Sequence, residues 1–244
     1  LQLHRLAYFL NRNRKRTITF HNVLTDDVFF SNVANGVSNS LSQFKTIIDE
    51  ISKRFKFSLD LDDPKTVTIT FDDGYRNQVE VAAPYLISRG IPAYLFVSGA
   101  LLKSIDHQLP VTKIGEGKAL VIDLLLHWVG YAPNGTYSVR FGNKDESLEL
   151  CDNDRLTVWS TVVWPAFVDD AKSKGEDVLK VLDAAYPMDR IIKSLPERYV
   201  EQRLKGPKDA QLIELMHKGW QIGWHTFSHY PLSLLSHDEK VEEL

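Results

Sequence analysis

The chain reads as an α/β protein built on parallel strands, and three stretches carry that reading. Residues 67–71 are the clearest: Val67, Ile69 and Phe71 alternate with Thr66, Thr68 and Thr70, the period-two pattern of a strand rich in β-branched residues. Residues 79–88 then have a helical pattern and 93–97 are strand-like again. Strand, helix and strand at this spacing make a right-handed parallel unit. Residues 209–218 form a helix with Leu212, Leu215 and Met216 on one face and Gly219 past its end, and the short strand Gln221–Trp224 follows directly.

The other elements fall around these. Thr17–Phe20 is a short strand that closes on His21 and Asn22. Residues 41–55 place Leu41, Phe44, Ile47, Ile48 and Ile51 at the i, i+3, i+4 spacing of an amphipathic helix. Pro84 predicts either a kink or a helix start within 79–88, because it brings no N–H. From residue 99 to about 207 the alternation stops. There, 119–129 has the pattern of an apolar helix, 136–151 that of a hairpin turning at Gly142-Asn143-Lys144-Asp145, and 155–182 that of one or two helices carrying Trp159 and Trp164. This block reads as a large, mostly helical insertion packed on one domain that spans 1–244. Ser236-His237-Asp238-Glu239 is a capping box that opens a last helix. The chain starts at Leu1 rather than Met and stops within that helix, so it reads as a piece of a longer product.

Bulk properties exclude several classes of partner. With 43% hydrophobic and 25% charged residues the composition is that of an ordinary globular domain. A net charge of −3 and the lack of an aromatic-studded basic stripe leave no case for nucleic acid. The cluster Arg12, Arg14, Lys15 and Arg16 reads as a solvated strand entrance. No run approaches the roughly 18 apolar residues a spanning helix needs. Cys151 is the sole cysteine, so no intrachain disulfide forms and the compartment stays open.

The chemistry gathers at two places. The strand at 67–71 stops at Asp72-Asp73-Gly74, and two carboxylates at the end of a buried strand are costly unless a cation or a proton engages them. The other three Asp-Asp pairs, Asp26-Asp27, Asp62-Asp63 and Asp169-Asp170, lack both the incoming strand and the glycine, and read as solvated or capping groups. His225 and His229 stand at i and i+4 directly after a strand, where a helical turn would bring both imidazoles to one side. Alone the pair is a weak signal. Its position strengthens it, since carboxylate and imidazoles would project from the same end of a parallel sheet, where α/β folds place their sites. One Asp and two His leave positions open on a divalent ion, the pattern of a catalytic site. His4, His107, His127, His217 and His237 lack that context and read as surface or helix-face residues.

Thr70-Phe71-Asp72-Asp73-Gly74 together with His225-Thr226-Phe227-Ser228-His229 resembles the polysaccharide deacetylase family, the NodB-homology domain of family 4 carbohydrate esterases. Gly90-Ile91-Pro92-Ala93, Gly219-Trp220-Gln221-Ile222-Gly223 and Ser228-His229-Tyr230-Pro231-Leu232 fit its framework, so the likeness is good over 65–100 and 208–244 and looser over 17–60. The resemblance implies a distorted (β/α) barrel, incomplete at the C-terminus here. It further implies that Asp73, His225 and His229 bind a divalent metal, commonly zinc, and that Asp72 is the general base. The implied reaction is metal-dependent removal of N-acetyl groups from an amino-sugar polysaccharide or glycan. A metal acidifies water and polarises the acetamide carbonyl, and a neighbouring carboxylate takes the water's proton. Trp224 and Tyr230, beside the histidines, are candidates to stack on a sugar ring or to pack in the core. Thr226 and Ser228 either orient the imidazoles or cap their turn.

The pattern also departs from the family. In most relatives the general acid is a histidine in a later motif, and arginine- and aspartate-containing segments follow the histidine turn; this chain stops before any of them. One branch, the exopolysaccharide deacetylases acting on poly-N-acetylglucosamine, has a permuted order with the acid histidine in a strand-ending segment near the N-terminus. Phe20-His21-Asn22-Val23 is similar to that segment, which makes His21 the candidate acid, against a packing or capping role. Two other functions stay open: a non-catalytic carbohydrate-binding or assembly module that keeps the metal pocket, and a metal amidohydrolase of small molecules.

Overall fold

The computed structural model describes residues 13–30, 32–102, 112–114 and 117–244. His4, His107 and Arg12 lie outside these. The fold is α/β, with a sheet whose pairings are all parallel. Strand β1 (Thr17–Phe20) pairs along its length with β5 (Thr66–Phe71), in register from Thr17↔Thr68 to Phe20↔Phe71. Between them come β2 (Asn22–Leu24) and β3 (Ser38–Ser40), which pair with each other, helix α1 (Leu41–Ser52), and β4 (Lys56–Phe57), which pairs with the start of β5. Helix α1 ends three residues short of the expected 55 and opens on a full capping box between Ser40 and Gln43.

After β5 the chain forms a π-helical turn, Gln78–Ala82, that runs into α2 (Ala83–Ser88). Pro84 sits in the first turn of α2, so its missing N–H falls where the ladder has already been widened by the π turn. Strand β6 (Tyr94–Val97) follows, beside the end of β5. The last sheet strand, here β11 (Gln221–Trp224), pairs with β6 and is delivered by α9 (Asp209–His217). Residues 112–207 supply the elements between: the strand pair β7 (Thr112–Ile114) and β8 (Gly117–Ala119), α3 (Val121–Tyr131), the hairpin β9 (Gly135–Phe141) and β10 (Lys144–Leu150), a helix made of α4 (Arg155–Val158), a π turn and α5 (Trp164–Asp169), then α6 (Glu176–Ala185), α7 (Met188–Ser194) and α8 (Glu197–Leu204). The chain closes with α10 (His237–Glu243). No helix of the described residues is long and apolar enough to cross a membrane.

Two cores result. Phe44 and Ile48 of α1, Leu86 of α2, and Leu215 of α9 pack with Phe20, Ile69, Phe71 and Leu95 of the sheet, and Trp220 stacks on Phe71 at 5.5 Å. Alternation in 66–71 predicts one buried face, yet Thr68 and Thr70 are buried as well. The Thr70 hydroxyl meets that of its register partner Thr19 at 2.8 Å, which satisfies both polar groups away from water. A second core joins α3, the hairpin and the helices that follow, around Trp128, Phe167 and Leu182.

A buried polar network lies inside this second layer. Asp123 and Arg203 form an ion pair at 2.8 Å with both side chains only 2% exposed, and Tyr75 donates its hydroxyl to Asp123 at 2.9 Å. His127, expected on a helix face or the surface, is fully buried beside it, with Nε2 3.0 Å from the Tyr199 hydroxyl. Its burial, reinforced by the charge of Arg203, pushes its pKa down to about 3. An ordinary histidine in the unfolded chain titrates near 6.5, so between these values the unfolded chain binds the extra proton and stability rises with pH. We expect this one group to remove about 2 kcal/mol of stability between pH 6.5 and pH 5. Urea midpoints of the protein and of His127→Gln at the two pH values check this: the variant's loss should be smaller by that amount.

Candidate metal centre

The register of the sheet builds the site. Because Phe20 pairs with Phe71, the next residues, His21 and Asp72, emerge side by side at the carboxyl ends of β1 and β5. His21 Nε2 stands 3.9 Å from Asp72 Oδ2, and both side chains are partly open to solvent. Two residues earlier on the same strands are Thr19 and Thr70, so the polar face of the sheet continues into this pair. Gln78, fully buried at the start of the π turn, donates its amide to the backbone carbonyls of both His21 and Asp72. One side chain thus ties the two strand ends together.

At Asp73 the strand breaks. Its φ is +75°, a left-handed conformation uncommon for a residue with a Cβ, and Gly74 follows at +83°. Gly74 has no freedom to be anything larger: a Cβ there would stand 2.6 Å from Val97 Cγ1 and 2.9 Å from Val97 Cα. The close approach to β6 is sealed by Ser98 N, which donates to Asp73 O at 2.9 Å. The Asp73 carboxylate is thereby turned inward and is 4% exposed.

His225 and His229 reach the same point from β11. Backbone bonds hold their loop on one side, from His225 N to Val97 O, Gly99 N to Thr226 O and Ala100 N to Phe227 O. The loop is not the helical turn the i, i+4 spacing predicts. Thr226 and His229 take φ of +59° and +61°, and residues 225–231 contain no helix. These left-handed residues bring the rings to 5.2 Å centroid to centroid, with His225 Nε2 at 3.4 Å and His229 Nε2 at 2.9 Å from Asp73 Oδ1. Thr226 Oγ1 caps the turn by accepting from His229 N at 3.2 Å.

One potential ligand atom from each of Asp73, His225 and His229 lies within 4.8 Å of the others. Asp73 Oδ1 and His229 Nδ1 are buried and, among the described residues, have no hydrogen-bond partner. A buried oxygen this close to two imidazole nitrogens, yet outside hydrogen-bond geometry, fits a donor set aimed at a common cation. Burial pushes the Asp73 carboxyl up, but the two imidazoles overcome this and hold it well below the usual carboxylate range. Burial likewise disfavours the charged form of His229, and Asp73 reverses it so that its pKa is raised.

The remaining predicted residues divide. Trp224 is 40% exposed, and its ring lies over Gly99, where a Cβ would stand 2.3 Å from its Cη2. Tyr230 is a correction: it is 2% exposed, packs on Phe167, and its hydroxyl lies 3.0 Å and 2.8 Å from the carbonyls of Phe167 and Val168. A ring so enclosed has no face for a sugar. The other aspartate pairs behave as solvated or capping groups, with Asp26 accepting from Ser42, Asp27 meeting Arg198 and Asp63 accepting from Lys65 N. Two supporting residues carry no local sequence signal: Gln78, just before the helical pattern at 79–88, and Glu243, which accepts from Phe227 N and Ser228 N inside the histidine loop.

Residues 61–116 match the family model described as Polysaccharide deacetylase, a stretch that contains Asp72 and Asp73. Solved structures similar to the chain include a de-N-acetylase from Aggregatibacter actinomycetemcomitans (13% identity over 90% of this chain and 97% of that one, TM-score 0.30). The deacetylase PplD of Streptococcus pyogenes, in complex with acetate, is 12% identical over 83% of this chain and 97% of that one, with a TM-score of 0.31. IcaB from Ammonifex degensii is 16% identical over 93% and 95%, also at 0.31. At these TM-scores the three likenesses carry no argument about this chain. No curated protein matches it.

Tyr230→Phe should destabilise the protein by about 1 kcal/mol, the usual worth of one internal hydrogen bond, and leave any KM for glycan unchanged. Urea unfolding and steady-state kinetics check the two halves, and a raised KM with unchanged stability would return Tyr230 to the substrate.

Proposed function

We propose that this chain, similar to the polysaccharide deacetylases over residues 61–116, is a metal-dependent hydrolase. It removes N-acetyl groups from an amino-sugar polysaccharide, cleaving a linear amide rather than a peptide bond. The observation that carries this reading is the convergence of Asp73, His225 and His229 on one point at the carboxyl end of a parallel sheet, with the Asp72–His21 pair at 3.9 Å alongside. In this reading the sheet is one arc of a distorted (β/α) barrel, and 99–207 is an insertion in a single domain.

Asp73, His225 and His229 would hold the cation, and their mixed nitrogen and oxygen donors suit zinc. Such an ion, when bound, supplies Lewis acidity toward a carbonyl oxygen and acidifies water. Asp72 takes a proton from the attacking water, since its carboxylate sits beside the candidate ligands without being turned in among them. His21 gives a proton to the leaving amine, which is otherwise too basic to depart. Gln78 supports that division by holding both backbones from beneath. Trp224, 40% exposed, is the candidate to pack on an apolar sugar face. The early position of His21 in the chain favours the permuted, poly-N-acetylglucosamine branch of the family.

Elemental analysis and acetate release from N-acetylglucosamine oligomers test this. The protein should carry about one zinc per chain, and Asp73→Ala or His225→Ala should lose it. Asp72→Asn and His21→Gln should keep the metal and lower turnover about a hundredfold or more. Metal retained by Asp73→Ala would overturn the ligand assignment, and glycan affinity without acetate release would identify a binding module instead.

A further inference from the structure

Helix α10 is amphipathic the wrong way round. Val241 is 62% exposed, whereas Glu243 is fully buried. Burying a carboxylate while leaving a valine in water is unfavourable unless the carboxylate is completely partnered. It is: Glu243 Oε2 accepts from Phe227 N at 2.9 Å and from Ser228 N at 2.7 Å, and Oε1 accepts from the Ser228 hydroxyl at 2.6 Å and from Lys174 Nζ at 2.7 Å. The backbone carbonyl of Glu243 also accepts the indole N–H of Trp224 at 2.9 Å.

Lys174 is the second anomaly. Its side chain is 7% exposed, and its backbone is left-handed at φ +54°, followed by Gly175 at +89°. Gly175 is wedged against Phe167, where a Cβ would stand 2.2 Å from the ring. A strained turn is therefore held in place by the second core, and it aims a buried ammonium at the carboxylate beneath the histidine loop.

We propose that the Lys174–Glu243 pair is a positioning device for the metal centre. The carboxylate binds the N–H groups of Phe227 and Ser228, two of the three between His225 and His229, fixing the left-handed turn that converges the rings. Lys174 pairs with that carboxylate, so the shape of the histidine loop depends on a segment about fifty residues earlier in the chain. The proposal rests on the metal-binding reading above. Loss of the pair should loosen the loop first and weaken the ion second.

The test uses Glu243→Gln and the double variant Lys174→Met/Glu243→Gln, which removes both charges and strands neither. Two measurements apply: zinc affinity by chelator competition, and hydrogen exchange of the Phe227 and Ser228 amides in metal-free protein. The expected result for both variants is an affinity lower by about tenfold to a hundredfold, the range for outer partners of metal ligands, with faster exchange at those two amides. Exchange at the amides of β5, remote from the loop, should stay slow, which separates loosening of the loop from global unfolding. Wild-type affinity and unchanged exchange at residues 227 and 228 in the folded double variant would overturn the proposal. If the wild-type protein binds no zinc, the metal reading falls, and the exchange rates still decide whether Glu243 holds the loop.

Discussion

Everything at this site depends on how β5 ends against β6. Gly74 lies so close to Val97 that a single methyl would collide with both its side chain and its backbone. That contact, with the bond from Ser98 N to Asp73 O, forces Asp73 into a left-handed backbone and its carboxylate inward. If Asp73 continued the extended strand, its side chain would follow the alternation of β5 away from the polar face. Asp72 would then stand alone beside His21. The crowding at Gly74 therefore separates two adjacent carboxylates into different environments, one buried among imidazoles and one partly open to solvent.

The same device recurs in the facing loop. Among the described non-glycine residues, positive φ is found at Asp73, Thr226, His229 and Lys174, and nowhere else. Three of the four are candidate ligands or lie between them, and the fourth supports their loop. Left-handed conformations at residues with a Cβ carry a cost of order 1–3 kcal/mol each and persist only where the surroundings over-determine them. Here they do: the loop backbone is bonded to residues 97–100 on one side and to Glu243 on the other. Strain concentrated at one point of an otherwise regular sheet is what a preorganised centre requires, because flexible ligands would have to be ordered by the ion itself.

Much of this was legible in the residues, and the failures have a common cause. Alternation in 66–71, the glycine after two aspartates, and histidines after a strand are local signals, and local order in a parallel sheet fixes where strand ends emerge. The helical turn expected for His225 and His229 failed because i, i+4 spacing records separation, not backbone dihedrals. Between sugar stacking and core packing Tyr230 stayed open in the sequence, because its environment is made by Phe167, far along the chain. Glu243 was invisible for the same reason. Beside Glu242 it has no distinguishing neighbour, and the donors that make its burial tolerable come from Phe227 and Ser228, 16 and 15 residues away, and from Lys174, 69 residues away. His127 lies on a helix, as one of its two readings has it, but its burial is not legible locally because its partner, Tyr199, comes from α8. Buried polar groups are legible from sequence only when both partners are close.

Segment 99–207 touches both halves of the centre through such partners. Toward the aspartates, Tyr75 donates to Asp123, Arg76 N donates to Lys205 O at 2.7 Å, and Asn77 donates to Gln202 O at 2.7 Å. Toward the histidines, Lys174 meets Glu243. If stability were all that these contacts supplied, apolar packing would serve as well, since taking two charges out of water offsets most of what their attraction returns. An ion pair differs from a greasy contact in having a fixed partner and a fixed direction. Asp123–Arg203 stands behind the loop that follows Asp73, and Lys174–Glu243 stands behind the loop that joins the imidazoles. The two loops must meet to within a few ångströms although more than half the chain separates them, and each is steadied by a buried charge pair with at least one member in the same segment. That shared support makes their meeting a property of the whole fold rather than of either motif.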